Sequence, residues 1–182
     1  MNSPQRSIEH YIRAKDGNRP HLLDQAFIQD AVLDMVVRTG SIAFPEHVEG
    51  RGAIGEVLVS RFNQAFENVY TFCLGSPPHA NVRTYGCKWL VAMSDKHSGE
   101  VRVGCGRYNW RFSAGSGLSE GLTITIEHMK TLPAAELTEV MAWVSGLEYP
   151  WSNAAAVLGE VPDSRALEDV VQYLSSGDCR TG

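Results

Sequence analysis

The sequence predicts an α+β fold: a strongly curved, mostly antiparallel sheet wrapped as a cone around N-terminal helices, with two extra helices at the C-terminus. Three observations predict it. Two helical patterns precede any strand pattern. One strand and one helix follow them. Then four strand patterns run in succession, separated by short turns, as consecutive antiparallel neighbours are. A cone of this kind leaves a cavity at its wide end.

The elements follow in order. Ser3-Pro4 reads as a helix start, with serine as the cap and proline in the first turn. Ile8, Tyr11 and Ile12 share one face of that helix, and Gly17 ends it. Pro20 opens a second, short helix carrying Leu22, Leu23, Ala26 and Phe27. Residues 31–38, AVLDMVVR, form a strand with Leu33, Met35 and Val37 on one face and Val32, Asp34, Val36 and Arg38 on the other. Residues 40–52 are a loop. The next helix has one mostly apolar stripe, from Ile54 through Val57, Leu58 and Phe62 to Phe66. The four strands then cover 69–74, 85–94, 100–113 and 122–130, with the turn DKHSG at 95–99 and the looser GSGLSEG at 115–121. Pro133 opens one C-terminal helix, with Leu137, Val140, Met141 and Val144 inward. Asp163 or Ser164 caps the other, with Leu167, Val170, Val171 and Leu174 inward. Residues 148–162 link these two helices. Residues 1–132 form the core domain, and 133–182 form a helical extension packed on it.

Composition narrows the function classes. The chain has 182 residues, 43% hydrophobic and 20% charged, which suits one ordered domain with a real core. The formal net charge is −5 and no run of Lys or Arg occurs, so nucleic acid is not an expected partner. No apolar run approaches the roughly 18–20 residues of a membrane span. The polar N-terminus does not read as a signal peptide, so neither a membrane nor an export route is expected, and the expected location is cytoplasmic. Cys73, Cys87 and Cys105 lie in strand-like runs and Cys179 near the C-terminus, with no CxxC pair. The three strand cysteines read as small buried hydrophobes. Glu46, His47 and Glu49 cluster in a loop and read as solvated, not as a metal set. GCG at 104–106 lies within a strand and is not a phosphate loop. No cofactor is implied.

The order of elements resembles the nuclear transport factor two-like superfamily in its SnoaL-like branch. The resemblance is carried by IEHYIRAKDGNRPHLLDQAFIQDAVLDM at 8–35, EGRGAIGEVL at 49–58, GRYNWRF at 106–112 and LTITIEHMK at 122–130, and covers about residues 5–131. It implies a cone-shaped sheet, a central pocket for a small apolar molecule, and a homodimer through the sheet's outer face. The family holds isomerases, dehydratases, cyclases, dioxygenase small subunits and plain binding modules, so the fold does not fix the function.

The candidate catalytic residues are Tyr11 and His128, and the candidate pocket-lining residues are Met35, Trp110 and Glu127. Tyr11 matches a tyrosine that donates to an oxyanion in ketosteroid isomerase-like enzymes; a buried phenol can donate where charge develops. It can equally pack in the core with its hydroxyl satisfied. The general base of those enzymes would fall at Met35, which cannot take a proton, and strand alternation sends Asp34 to the other face. Direct matching places Glu127 at the acid of the oxyanion site. The apolar pattern Leu122, Ile124, Ile126 instead sends His128 inward and Glu127 outward. An inward His128 near Tyr11 can act as acid and base, or can be a core histidine bonded to a neighbour.

The stretch VRVGCGRYNWRFS at 101–113 changes character halfway on both faces, which predicts a strand bent near its glycines, with Trp110 as a wall of the pocket. Three readings result. The chain is a binding protein for an apolar small molecule, or a lyase, isomerase or cyclase using acid–base chemistry in that pocket, or an accessory subunit resembling the dioxygenase small subunits.

Overall fold

The computed structural model describes residues 2–177; Cys179 lies outside them. Its centre is a curved, open, seven-stranded mixed sheet, and the predicted α+β cone is what the chain forms. Helix α1 (Pro4–Asp16) starts where expected, with the Ser3 side chain accepting from the Arg6 N–H. A 3-10 turn, Pro20–Gln25, replaces the second helix, and Phe27 already belongs to strand β1 (Phe27–Val37). The predicted loop contains a short strand, β2 (His47–Glu49), paired antiparallel with β1. Helix α2 spans 51–65, two α segments around a π turn at Glu56–Ser60. The meander follows: β3 (Phe66–Leu74), β4 (Thr84–Asp95), β5 (Val101–Phe112) and β6 (Ser119–Leu132). After it come α3 (Leu137–Ser145), a two-residue strand β7 (Trp151–Ser152), α4 (Ala154–Gly159) and α5 (Glu168–Ser175). The segment read as a plain linker thus supplies both the edge strand β7 and a helix.

The strand order is β2-β1-β6-β5-β4-β3-β7. The β1–β6 and β3–β7 pairs are parallel and the others antiparallel. Alternation along the strands gives the sheet two apolar faces, each covered differently. On the concave face, Cys87, Trp89, Val91 and Met93 of β4 and Tyr108, Trp110 and Phe112 of β5 pack with Ile8, Tyr11 and Ile12 of α1 and Leu58 and Phe62 of α2. On the convex face, Phe72, Leu90, Ala92, Val101, Val103 and Cys105 are sealed under Val140, Trp143 and Val144 of α3, Val157 of α4, and Leu167, Val170 and Leu174 around α5. The Trp143 indole N–H donates to the Val157 carbonyl at 3.0 Å, which ties α3 to α4.

Two expectations about side-chain direction need correction. Strand β5 keeps its alternation from end to end, so no change of face occurs at its glycines. Its character changes because the C-terminal helices cover the convex side only over Val101–Cys105; Arg107, Asn109 and Arg111 lie on the same side beyond them. Strand β6 does change parity. Cys105 pairs with His128 and Gly106 with Ile126, so Glu127 is an extra residue, a β-bulge. Ile124 and Ile126 face the concave core, but after the bulge Met129 faces it and His128 does not.

Candidate functional site

The concave face, α1 and α2 line a partly open cavity. Its volume, traced by the centre of a water-sized sphere, is about 40 Å³. Tyr11 and Lys15 reach it from α1, Leu58 and Phe62 from α2, Met35 from β1 and Thr71 from β3. The sheet wall is Trp89, Val91 and Met93 of β4, Tyr108 of β5, and Ile124, Ile126 and Met129 of β6. Ile42 and Phe44 complete it from the loop between β1 and β2. That loop is held down by Arg102, whose guanidinium donates to the Ser41 carbonyl at 3.3 Å, and by the Met35 N–H donating to the Glu46 carbonyl at 2.9 Å.

The polar groups gather where α1 meets β3. Tyr11 and Lys15 are four residues apart and therefore on one helical face. The Lys15 ammonium donates to the Thr71 hydroxyl at 2.7 Å and to Asp16 at 3.1 Å, and lies 4.6 Å from the centre of the Phe62 ring. Both charged side chains are more than nine-tenths buried. Asp16 is fully engaged. It accepts from Lys15, the Thr71 hydroxyl (2.7 Å), the Thr71 N–H (2.7 Å) and the Tyr149 hydroxyl (3.0 Å), which fills the roughly four acceptor directions of a carboxylate. Asn63 donates to the Lys15 carbonyl and to the Val59 carbonyl, both at 2.8 Å, and so ties α1 to the π turn of α2.

Tyr11 and Tyr108 have their phenol pKa values pushed up, mainly by burial, so both are neutral at ordinary pH. Each phenol also acts on the other: Tyr108 partly offsets the rise at Tyr11, and Tyr11 adds to the rise at Tyr108. The Trp89 indole N–H is buried without a partner. Cys73 is held protonated first by its hydrogen bond to Cys87 and then by burial, and burial pushes the Cys105 thiol up to about 12. Neither is a ready nucleophile.

The sequence-derived site residues separate into two groups. Tyr11 and Met35 line the cavity. Trp110 is inside the cone but behind the cavity wall: its ring packs 5.4 Å from Tyr11 and 5.9 Å from Phe27, and it is 1% exposed. His128 and Glu127 stand away from the cavity because of the bulge. The His128 ring packs edge-on against Tyr173 of α5 at 6.3 Å, and Glu127 pairs with Arg38 at 2.9 Å. The expected convergence of His128 with Tyr11 is therefore corrected. Asp34 faces outward as expected, where it accepts from or pairs with His47 at 2.7 Å. Sequence reasoning missed Lys15, Thr71 and Trp89. Lys15 was legible as the residue one turn after Tyr11, and Trp89 as the alternation partner of Val91 and Met93; nothing singled out Thr71.

The class is a cone-shaped α+β domain whose concave face lines a small, largely apolar cavity. The particular fold is that of the nuclear transport factor two-like proteins. One solved structure, a nuclear transport factor two-like protein from Burkholderia thailandensis, superposes with a TM-score of 0.54 at 12% identity, over 76% of this chain and 98% of that one. A computationally designed binder of 17-OHP gives 0.52 at 14% identity, over 68% and 92%. The epoxide hydrolase/cyclase-like enzyme SalBIII, of pyran ring formation in polyether salinomycin, gives 0.50 at 12% identity, over 68% and 89%. No family model and no curated protein sequence matches the chain. Among the described residues, no helix is long and apolar enough to cross a membrane.

Proposed function

We propose that the chain is a SnoaL-like binding protein that holds a small, mostly apolar molecule in the cavity of its cone. One observation carries this reading: the cavity is walled mostly by hydrocarbon, thioether and aromatic side chains, and its charged group, Lys15, is held at the α1–β3 corner. Met35, Met93 and Met129 line it together. Thioether side chains are unbranched and adaptable, so they can yield to a ligand larger than the 40 Å³ of the cavity. The designed binder and the cyclase-like enzyme of the same fold both fit a ligand-holding cone.

A second reading, proton-transfer chemistry as in a lyase, isomerase or cyclase, is favoured by the buried Tyr11–Tyr108 pair, which can donate to an oxygen that gains charge. It is weakened by Met35 at the base position and by His128 standing outside the cavity. The test is to denature the purified chain, identify any released molecule by mass spectrometry, and return it to fresh protein. Saturable binding without conversion supports the binding reading. Turnover that Tyr11→Phe abolishes supports the second. No released molecule, and no saturable ligand in a screen of apolar compounds, defeats both.

The homodimer, or a larger partner chain, would have to use the part of the convex face that the C-terminal helices leave open, around Val36, Asn109 and Arg111. Light scattering after gel filtration distinguishes monomer, dimer and mixed assembly.

A further inference from the structure

We propose that Lys15 and Trp89 form a donor-only anchor for the neutral carbonyl oxygen of a ligand, so that the cavity selects a small apolar ketone, aldehyde or ester over the matching hydrocarbon or carboxylate. This rests on the binding reading above and names its ligand class.

The argument starts from unsatisfied capacity. An ammonium has three N–H donors, and Lys15 uses two of them, on Thr71 and Asp16. The third is left with the Phe62 ring face and the cavity that Lys15 lines. Trp89 lines the same cavity, is 4% exposed, and carries a buried indole N–H with no acceptor. Leaving a buried donor unpaired is destabilising. An occupant that supplies an oxygen acceptor recovers that cost; a pure hydrocarbon does not.

The charge state of the ligand follows from Asp16. Its carboxylate already balances the Lys15 ammonium at 3.1 Å and is itself saturated by four donors. A second carboxylate would enter an apolar cavity as an uncompensated charge, which is costly. A neutral carbonyl accepts the same hydrogen bonds without bringing a charge. A ligand hydroxyl or amine that must donate meets a saturated carboxylate and a Thr71 hydroxyl already bonded on both sides, so it gains less.

The test uses three probes on one five-membered ring: cyclopentanone, its near-isostere methylenecyclopentane, and the larger, charged cyclopentanecarboxylate. Affinities are measured by NMR titration on the full chain and on Met129→Ala, whose truncated side chain enlarges the cavity. The expected result is that cyclopentanone binds at least about tenfold tighter than methylenecyclopentane, the affinity ratio that one recovered hydrogen bond gives. Lys15→Met and Trp89→Phe should each reduce that ratio to about threefold or less, with the hydrocarbon's affinity for the same variant as the reference for any change in cavity shape. The second substitution keeps an aromatic ring while removing the donor along with the five-membered part of the indole, so the test survives if Lys15→Met unfolds the chain. Equal binding of ketone and hydrocarbon overturns the anchor and leaves the binding reading intact. Preference for the carboxylate, or a ratio that survives both substitutions, also overturns it. Failure of all three probes on both proteins overturns the anchor, while the released-molecule experiment above judges the binding reading separately.

Discussion

Gly106 is where the sheet's geometry can be broken with one methyl group. It pairs with Ile126 at the start of the β6 bulge, and its partner strand comes unusually close. A Cβ at this position would lie 1.9 Å from the Thr125 carbonyl oxygen and 2.8 Å from the Trp89 ring. Real Cβ atoms keep about 3 Å or more from backbone, so Gly106→Ala must push β6 away by roughly 1 Å. Backbone cannot rotate aside as a side-chain tip can. Overpacking of this kind costs about 3 kcal/mol, the upper part of its usual range. For a chain of this length that lowers the melting temperature by about 6–12 °C. Two controls calibrate the result. Gly104→Ala meets chiefly the tip of Met129, at 2.5 Å from Cε and 2.8 Å from Sδ, and should cost about 1 kcal/mol because a methionine can swing. Gly159→Ala meets nothing within 4 Å and should be neutral. The assay is thermal unfolding followed by circular dichroism. If Gly106→Ala melts within about 2 °C of the parent, or no lower than Gly104→Ala, the close strand approach is not what demands glycine here.

Three other predictions probe the surroundings of the cavity. Removing residues 133–182 strips the cover from Phe72, Leu90, Val101 and Val103, all fully buried; at about 1.5–3 kcal/mol each this is on the order of 6–12 kcal/mol, comparable to a whole domain's stability, so the truncated chain should aggregate or oligomerise in light scattering. A monodisperse truncated monomer melting like the parent would contradict that. His47 sits between Asp34 (2.7 Å) and Glu49 (3.1 Å), whose carboxylates raise its pKa above the ordinary 6.5. With the folded value raised, its contribution is fully present below pH 6.5 and fades as pH climbs through the raised value; NMR titration should show a midpoint above 6.5, and Asp34→Asn should bring it down. His128→Ala should leave cyclopentanone affinity unchanged and lower stability by no more than about 1 kcal/mol, since its ring touches Tyr173 and not the cavity. A fall in affinity of tenfold or more would return His128 to the site.

What the sequence revealed, and what it hid, follows from the kind of pattern each feature leaves. The continuous apolar run from Trp89 to Met93 made β4 legible, because both of its faces are buried, and alternation made the first half of β6 legible, because its apolar face lies in the cone. The apolar stripe of α1 was legible for the same reason. A bulge breaks alternation by one residue, and its trace is small: Ile126 and Met129 are three apart, with Glu127 and His128 between them. That apolar–polar–polar–apolar spacing was the only sign, and a parity argument carried through it puts the wrong side chain indoors. The convex cover misled in another way. Val101, Val103 and Cys105 looked like half of a bent strand because nothing in β5 itself says that α3 and α5 lie on top. Long-range packing of this sort leaves no local signal. Lys15 was overlooked because a lysine near a helix end ordinarily reads as solvated, and its burial depends on Thr71, 56 residues away.

The bulge and the C-terminal helices are two parts of one arrangement. The extra residue at 127 turns His128 toward the convex side, where Tyr173 of α5 meets it, and turns Met129 toward the cavity. Gly104 leaves the space that Met129 fills, since a Cβ there would touch its sulfur and methyl group. Without the bulge, alternation would put an imidazole in the cavity that Lys15 also lines, and a thioether against α5. As built, the imidazole is outside, the thioether is inside, and the ammonium that lines the cavity is compensated by Asp16. An interior of that composition favours holding a neutral molecule by its oxygen over moving protons through a histidine. The position of a single inserted residue on β6 therefore bears on the chemistry of the cavity more than the identity of any one of its lining residues.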